Sequence, residues 1–320
     1  MHSISKSLLD TVPALPEEPG CNCPCRQERS TGPERPAPAT ARPAPRTSAF
    51  EELGFPATIQ ALQEEIRALY TGDDVPWIIG YSGGKDSTAT LQLIWTAIAG
   101  LPQEQRKKTI YVISTDTLVE NPIVAAWVTN SLEVMKRSAE SQGMPICPRR
   151  LTPALQDTFW VNLIGKGYPA PRPKFRWCTA RLKIQPSNTF INSIVSSSGE
   201  AILVLGTRKA ESSARAANMS RHEKGRIRER LSPNSSLPGS LVYTPIETWT
   251  NDDVWFSLMQ IQNPWGFNNR ELLGMYAGAS ADGECPLVVD DSTPSCGDSR
   301  FGCWVCTLVD EDKSMTAMVQ

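Results

Sequence analysis

No apolar run in the sequence approaches the roughly 18 residues that a membrane-spanning helix needs, so a helical membrane protein is not expected. The opening stretch, MHSISKSLLDTVPALPEEPG, lacks the apolar core of roughly 7–15 residues that drives secretion. Export is therefore not expected, and the cytoplasm is the default location. Nor is there an excess of one charge. Lys and Arg number 32 against 34 Asp and Glu, which argues against a strongly basic, histone-like binder. No internal repeat is visible. What remains is a globular chain of 320 residues, 40% hydrophobic and 21% charged, long enough for one large or two small domains. Its nine cysteines, in a chain expected to be cytosolic, point to metal or redox chemistry before disulfides.

The first 48 residues hold nine of the 26 prolines, as in RPAPATARPAPR, with Ala, Arg, Thr and Ser between them. Such a stretch buries too little apolar surface to offset its ordering entropy and reads as a disordered tail over residues 1–48. Cys21, Cys23 and Cys25 lie within it. Alternate cysteines can grip a soft metal, but a proline-rich tail offers no rigid frame, so they read as incidental thiols.

Order is expected from about Phe50. Ile59, Leu62, Ile66 and Leu69 fall at helical spacing between Thr58 and Tyr70. VPWIIGY (Val75–Tyr81) reads as a buried strand, followed by a helix carrying Leu91, Ile94, Trp95 and Ile98 on one stripe. TIYVISTDT (Thr109–Thr117) is a second strand, followed by a helix over about Ile123–Ser141, and AILVLGT (Ala201–Thr207) is a third. Continuously apolar strands alternating with helices predict an α/β fold: a doubly wound, mostly parallel sheet covered on both faces. In that architecture ligands bind beyond the carboxyl ends of the strands, where Ser82, Asp116 and Arg208 fall. The predicted division is residues 49–260 for this domain and 261–320 for a cysteine-rich segment.

SGGKDST, Ser82 to Thr88, is the most informative stretch. Gly83 and Gly84 permit a tight turn and close approach to an anion. The helix starting near Asp86 turns its unpaired N–H groups and positive dipole end toward a phosphate. Lys85 adds a full charge, and Ser82, Ser87 and Thr88 add hydroxyls. The spacing is not that of a Walker loop. Without a ligand the same residues would be a plain strand-to-helix turn.

SGGKDS resembles the PP-loop of ATP pyrophosphatases, and TDTLVEN, FRWCTARLKIQP, LGTRKAESSAR and TPIETWTNDDVW extend the likeness over Trp77–Trp255. Within that superfamily the chain is similar to the phosphoadenylylsulfate-reductase-like branch. WVNLIGKGYPAPRPKFRWCT and STPSCGDSRFGCWVC bring it nearest to the DndC family, the ATP-pyrophosphatase component of bacterial DNA phosphorothioation. The resemblance implies ATP as substrate, cleaved between its α and β phosphates with AMP left on a substrate oxygen. Nucleotide-binding residues would be Ser82, Gly83, Gly84, Lys85, Asp86 and Ser87. Arg208 and Arg215, in GTRKAESSAR, would touch phosphates. A magnesium ion would assist Lys85 at the departing pyrophosphate. DNA, a cysteine desulfurase as sulfur donor, and other proteins of a DNA-modification complex would be the partners.

Cys285, Cys296, Cys303 and Cys306 form C-x10-C-x6-C-x2-C within 22 residues. Thiolates so placed suit zinc or an iron–sulfur cluster, although a zinc ribbon brings two C-x2-C pairs and here there is one. Unligated thiols are the bland alternative. The family resemblance implies a four-iron, four-sulfur cluster. Cys178 stands apart, flanked by Arg176, Arg181 and Lys183, whose charge favours a thiolate able to carry a persulfide. In the related reductases a cysteine at that place helps bind a cluster, and a buried structural cysteine is the third possibility. Cys147 reads as structural. Asp116, at a strand end, is assigned to catalysis by positioning metal or nucleotide, with a helix cap as the alternative.

Charge is unevenly spread. Arg172–Lys183 carries five basic residues and no acidic one, and Arg208–Arg230 eight basic and three acidic. Cys285–Gln320 carries two basic and six acidic. The basic strips suit a phosphate backbone or a triphosphate, or else are solvated faces. No helix-turn-helix or zinc-finger reader is present. The sequence reading is thus an ATP pyrophosphatase and sulfurtransferase. Its rivals are a reductase of adenylylated sulfate, a tRNA thiolase, and a nucleotide-holding scaffold. The terminal DEDKSMTAMVQ lacks the ECGLH-like tail of the reductases, and the cysteine spacing is not the thiolase's usual one.

Overall fold

Three strands form the centre of a computed structural model that describes residues 47–172, 175–226, 228, 230–278, 302–307 and 316. They are β1 (Trp77–Gly80), β2 (Ile110–Thr115) and β4 (Ala201–Val204). β3 (Ile146–Leu151), the two-residue β5 (Ser232–Pro233) and β6 (Ser240–Tyr243) complete a six-stranded sheet of order β3-β2-β1-β4-β6-β5. Every pairing is parallel except β5 with β6. β1 registers Trp77 against Ile110 on one side and Ile202 on the other. The chain winds outward from β1 through β2 to β3, then returns to lay β4 on β1's other edge. The gap between the carboxyl ends of β1 and β4 is therefore the topological switch point, where this architecture binds ligands.

The continuously apolar strands are buried on both faces, as parallel strands under helices must be. Trp77 and Ile79 of β1, Ile110 and Val112 of β2, and Ile202 and Val204 of β4 enter one core. That core also takes Ile59 and Ile66 from α1 (Phe55–Thr71), Leu91, Ile94 and Trp95 from α2 (Lys85–Ala99), and Met135 from α3 (Pro122–Ser141). α6 (Asn251–Gln260) and α7 (Asn269–Gly278) close it with Trp255 and Leu272. The alternate strand residues Ile78, Ile113 and Leu203 meet Ile191 of α4 (Gln185–Ser198) on the opposite face. α5 (Ser213–Glu223) follows β4.

Three strands escape the sequence pattern for a physical reason. β3 reads ICPRRL, with a proline and two arginines, which only an edge strand paired on one side tolerates. β5, with two residues, is too short to make a period, and β6, SLVY, opens on a polar serine rather than as an unbroken apolar run. Residues 261–278, grouped by sequence with the cysteines, instead pack into the main core through Trp265 and Leu272. A smaller cluster of Val119, Phe159, Trp177 and Leu182 sits apart from both large cores, with Cys178, Cys303 and Val305 packed on it. Two π-helical turns, Val161–Gly165 and Thr179–Ile184, contribute to this region; such turns recur at functional sites. Among the described residues no helix is long and apolar enough to cross a membrane.

Candidate functional site

The loop after β1 is a tight turn that leads straight into α2. Gly83 has φ 76°, and a Cβ there would stand 2.5 Å from Val128 Cγ2, so the position takes no side chain without strain. Gly84 has ordinary φ and forms the N-cap of α2 without a side-chain acceptor at the cap. Trp127 Nε1 donates to the Gly83 carbonyl at 3.2 Å and pins the turn. Ser82 and Ser87 hydroxyls lie 3.2 Å apart, and Ser87 Oγ donates to the Gly84 carbonyl at 3.0 Å. The Lys85 amide donates to Tyr276 Oη at 3.3 Å, tying α7 to the loop. Burial and then the nearby Asp86 carboxylate push the Tyr276 phenol up, so it stays protonated and presents a hydroxyl.

A cleft of about 690 Å³ opens over this loop, within the range of small-molecule sites. Ser82, Gly83, Gly84, Asp86 and Ser87 line it, together with Asp116, Glu120, Arg150, Lys183, Arg215 and Tyr276. Two sequence-predicted residues stand elsewhere. Lys85 is not on the wall; its ammonium lies 3.1 Å from Asp86 Oδ2 and 5.6 Å from the centroid of the Tyr276 ring. Arg208, read from sequence as a phosphate contact, is 3% exposed and lies behind the loop. Its Nε donates to Asp86 Oδ1 at 2.6 Å and one terminal nitrogen to the Trp249 carbonyl at 3.3 Å. Arg208 thus locks the first turn of α2 against the loop that follows β4. There Gly206 leaves no room for a Cβ, which would meet the Asp86 carbonyl oxygen at 2.7 Å.

Breaking that ion pair strands a carboxylate beside the loop. Arg208→Leu is expected to cost about 3 kcal/mol, the low end for a buried pair, because Asp86 is 24% exposed and keeps Lys85. A thermal melt should fall by roughly 6–12 °C; an unchanged melt would show that the pair does not hold the loop.

Asp116 does reach the cleft, at the end of β2. One oxygen accepts from the Leu118 amide at 2.8 Å and the other pairs with Arg150. Its carboxylate thereby shapes the turn in which Leu118 adopts φ 63°. Arg215 lines the cleft from α5 and pairs with Glu211 at 2.7 Å. The arginines at the end of that basic strip are paired with carboxylates from elsewhere in the chain. Arg226 and Arg230 bind Glu247 at 3.0 and 2.7 Å, and Arg228 binds Asp73 at 3.1 Å. Burial alone would raise the Glu247 carboxyl, but Arg230 and Arg226 hold it below its ordinary value.

The thiols approach one rim of the same cleft. Residues 302–307 lie antiparallel to the loop after β2, with a bridge between Glu120 and Cys303 and the Trp304 amide donating to the Val119 carbonyl at 3.1 Å. Cys303 and Cys306 are joined by a turn in which the Cys306 amide donates to the Cys303 carbonyl at 3.0 Å. Lys183, on the cleft wall, pairs with Glu120 at 3.1 Å. Burial pulls its ammonium down, but Glu120, Cys303 and Cys178 outweigh that and raise it, so it is a cation at neutral pH. Burial pushes the Cys303 thiol up, against Lys183 and a contact from Thr117. Of the cations flanking Cys178, Arg181 is committed to Asp157 at 2.5 Å and Tyr168 Oη at 2.9 Å. Cys147 is half-buried in β3.

Cys21, Cys23, Cys25, Cys285 and Cys296 lie outside the described residues, as does nearly all of the predicted 1–48 tail. Among the described residues no three Cys, His, Asp or Glu side chains form a group able to hold a metal. Sequence reading assigned no role to Glu120 or Tyr276. Glu120 sits inside the quoted TDTLVEN, but its link to Cys303 exists only in the folded chain.

A doubly wound, mostly parallel sheet with a glycine-rich strand-to-helix loop at its switch point defines an α/β protein with its cleft at the carboxyl ends of the strands. The chain belongs to the phosphoadenosine phosphosulfate reductase domain family, whose profile matches residues 76–264. It is 26% identical over 200 residues to the uncharacterized protein MJ0066 of Methanocaldococcus jannaschii, covering 62% of this chain and 35% of that protein. The chain thus spans about a third of that relative's length. Among solved structures it is similar to phosphoadenylyl-sulfate reductase from Candida auris in a phosphate complex. That match has 12% identity and a TM-score of 0.38 over 68% of this chain and 90% of that one. It is also similar to the U34-tRNA thiolase NcsA from Methanococcus maripaludis with its [4Fe-4S] cluster, at 16% identity and a TM-score of 0.39 over 67% and 68% of the two chains.

Proposed function

We propose that the protein is an ATP-dependent sulfur-insertion enzyme acting on the DNA backbone, of the DndC type. The observation that carries the sulfur step is Lys183, which lines the cleft and pairs with Glu120, the residue bridged to Cys303, while Cys303 and Cys178 pack on one cluster. A nucleotide cleft and a thiol pair thus share one wall. DNA as acceptor is supported by the likeness of residues 160–179 and 292–306 to that family.

Oxide is too poor a leaving group for direct exchange of a phosphate oxygen for sulfur. In the proposed reaction a non-bridging DNA oxygen attacks the α-phosphorus of ATP, the α–β bridging bond breaks, and pyrophosphate departs. A sulfur nucleophile then attacks the DNA phosphorus and AMP leaves with the former DNA oxygen. Loop amides and the Lys85 ammonium stabilise charge growing on pyrophosphate. Magnesium, when bound with the triphosphate, would neutralise phosphate charge beside Lys85. Arg215 would meet the phosphates from α5, and Arg208 would act by holding Asp86 and the loop. A cysteine desulfurase would supply the sulfur, and other proteins of a modification complex would deliver the DNA, in the cytoplasm.

The test is mass spectrometry of host DNA for phosphorothioate dinucleotides with and without this gene, beside pyrophosphate release by the purified protein. No phosphorothioate in either strain removes the DNA reading. The family membership favours a reductase of adenylylated sulfate as second reading, which sulfite release would reveal.

A four-iron, four-sulfur cluster on Cys285, Cys296, Cys303 and Cys306 is part of the proposal. Protein purified without oxygen is expected to be brown, and Cys303→Ser or Cys306→Ser should bleach it and expose nearby chain to protease. One stoichiometric zinc and no iron after reconstitution would replace the cluster with a zinc knuckle.

A further inference from the structure

Five of the nine tryptophans are among the largest fully buried side chains. Trp160 and Trp304 are different: they are 45% and 53% exposed, and their rings lie 5.9 Å apart on the outer side of the Phe159–Trp177 cluster. Phe159 supports them, with its ring 5.2 Å from Trp160 at 90° and stacked on Trp177 at 5.4 Å. Thr307 Oγ1 donates to the Pro171 carbonyl at 2.5 Å, which seats the Trp304 segment beside the paired residues Arg172 and Phe175. Phe175 is 37% exposed.

On the Trp160 side of these rings the charge is one-sided, whereas the segment that carries Trp304, Cys285–Gln320, has six acidic residues against two basic. From Arg149 to Ser198 the sequence has eight Lys and Arg and one carboxylate, Asp157. Asp157 is buried and paired with Arg181. Lys166, Arg172 and Arg176 are all exposed. Exposed rings interleaved with cations match nucleic acid, whose bases stack and whose phosphates pair. A duplex hides its base faces within its own stack, so rings of this kind engage only unpaired bases.

We propose that Trp160 and Trp304 form a stacking platform for unpaired bases of single-stranded DNA, its phosphates lying along Lys166, Arg172 and Arg176. This deepens, and rests on, the reading of DNA as acceptor. The platform adjoins the cleft through consecutive residues: Val119 enters the platform's cluster while Glu120 lines the cleft, and Leu182 and Lys183 divide likewise. A strand held on the rings can therefore place a backbone phosphate toward the nucleotide.

The full chain would be titrated, without ATP, into labelled oligo-dT and into a duplex of equal length, following anisotropy and tryptophan quenching. Single strand is expected to bind more tightly and to quench. Trp160→Ala and Trp304→Ala should each weaken it by about fivefold to a hundredfold, the cost of one base–ring stack, while Trp160→Phe retains most of the affinity. Arg176→Ala, at an exposed position that leaves folding undisturbed, should lower the slope of log affinity against log salt by about 0.7. Equal affinity for duplex, or wild-type affinity in the double alanine variant, overturns the platform. So does self-association that buries the rings with no oligonucleotide bound, which would make the patch a protein interface. Because this assay needs neither ATP nor sulfur, strand binding through the tryptophans in a protein that installs no sulfur keeps the platform and removes only the sulfur chemistry.

Discussion

Lys85→Ala is expected to lower pyrophosphate release by a hundredfold or more while leaving the melting temperature nearly unchanged. The ammonium waits beside the loop, 3.1 Å from Asp86 Oδ2 and 16% exposed, on the first residue of α2. Asp86 is also held by Arg208 at 2.6 Å, so releasing Lys85 to a triphosphate leaves that carboxylate paired. A flexible four-carbon stem lets the charge move from Asp86 to the departing pyrophosphate, which is where it differs between ground and transition state. Removing one donor of this sort costs about 10²–10³ in rate, or roughly 3–4 kcal/mol. Stability should change little because the Asp86 pair with Arg208 survives. Turnover close to wild type in a folded Lys85→Ala protein would remove Lys85 from catalysis and leave it as a partner of Asp86 and Tyr276.

The central sheet was legible because β1, β2 and β4 are buried on both faces and so read as unbroken apolar runs, whereas β3 carries Pro148 and two arginines at an edge and does not. The phosphate loop was legible for a similar reason, since only a turn with φ near +76° at Gly83 requires that glycine after a buried strand. Arg208 shows the limit of position as a guide. It stands just past β4, on the ligand side of the sheet, yet its side chain turns inward to Asp86. A strand-end arginine facing solvent and one facing the loop have the same sequence signature, and the choice rests on a carboxylate far away in the chain. The thiol rim was half legible: the residues were visible, but the bridge of Cys303 to Glu120, and Lys183 joining both to the cleft, follow from tertiary pairing alone.

Cys178→Ser is expected to retain ATP turnover and to install no sulfur. In the proposed reaction adenylylation would use the loop, Lys85 and magnesium, none of which needs a thiol. The second step needs a sulfur carrier. With a persulfide on Cys178, the terminal sulfur attacks the adenylylated DNA phosphorus, the P–O bond to AMP breaks, and AMP leaves with that bond's electrons. A second thiol then attacks Cys178 Sγ, the S–S bond opens, and its electrons remain on the sulfur now bound to phosphorus. Cys178 is half-buried, immediately before the π-helical turn Thr179–Ile184, which carries Lys183 to the cleft wall. The same placement, sharing a cluster with Cys303, also suits a metal-ligating cysteine. The two roles separate in one preparation. A carrier gives a serine variant with full iron and no phosphorothioate, while a ligand gives one that has lost iron as well. Full phosphorothioate formation by the serine variant would defeat both and leave Cys178 as packing for Val119, Trp177 and Leu182.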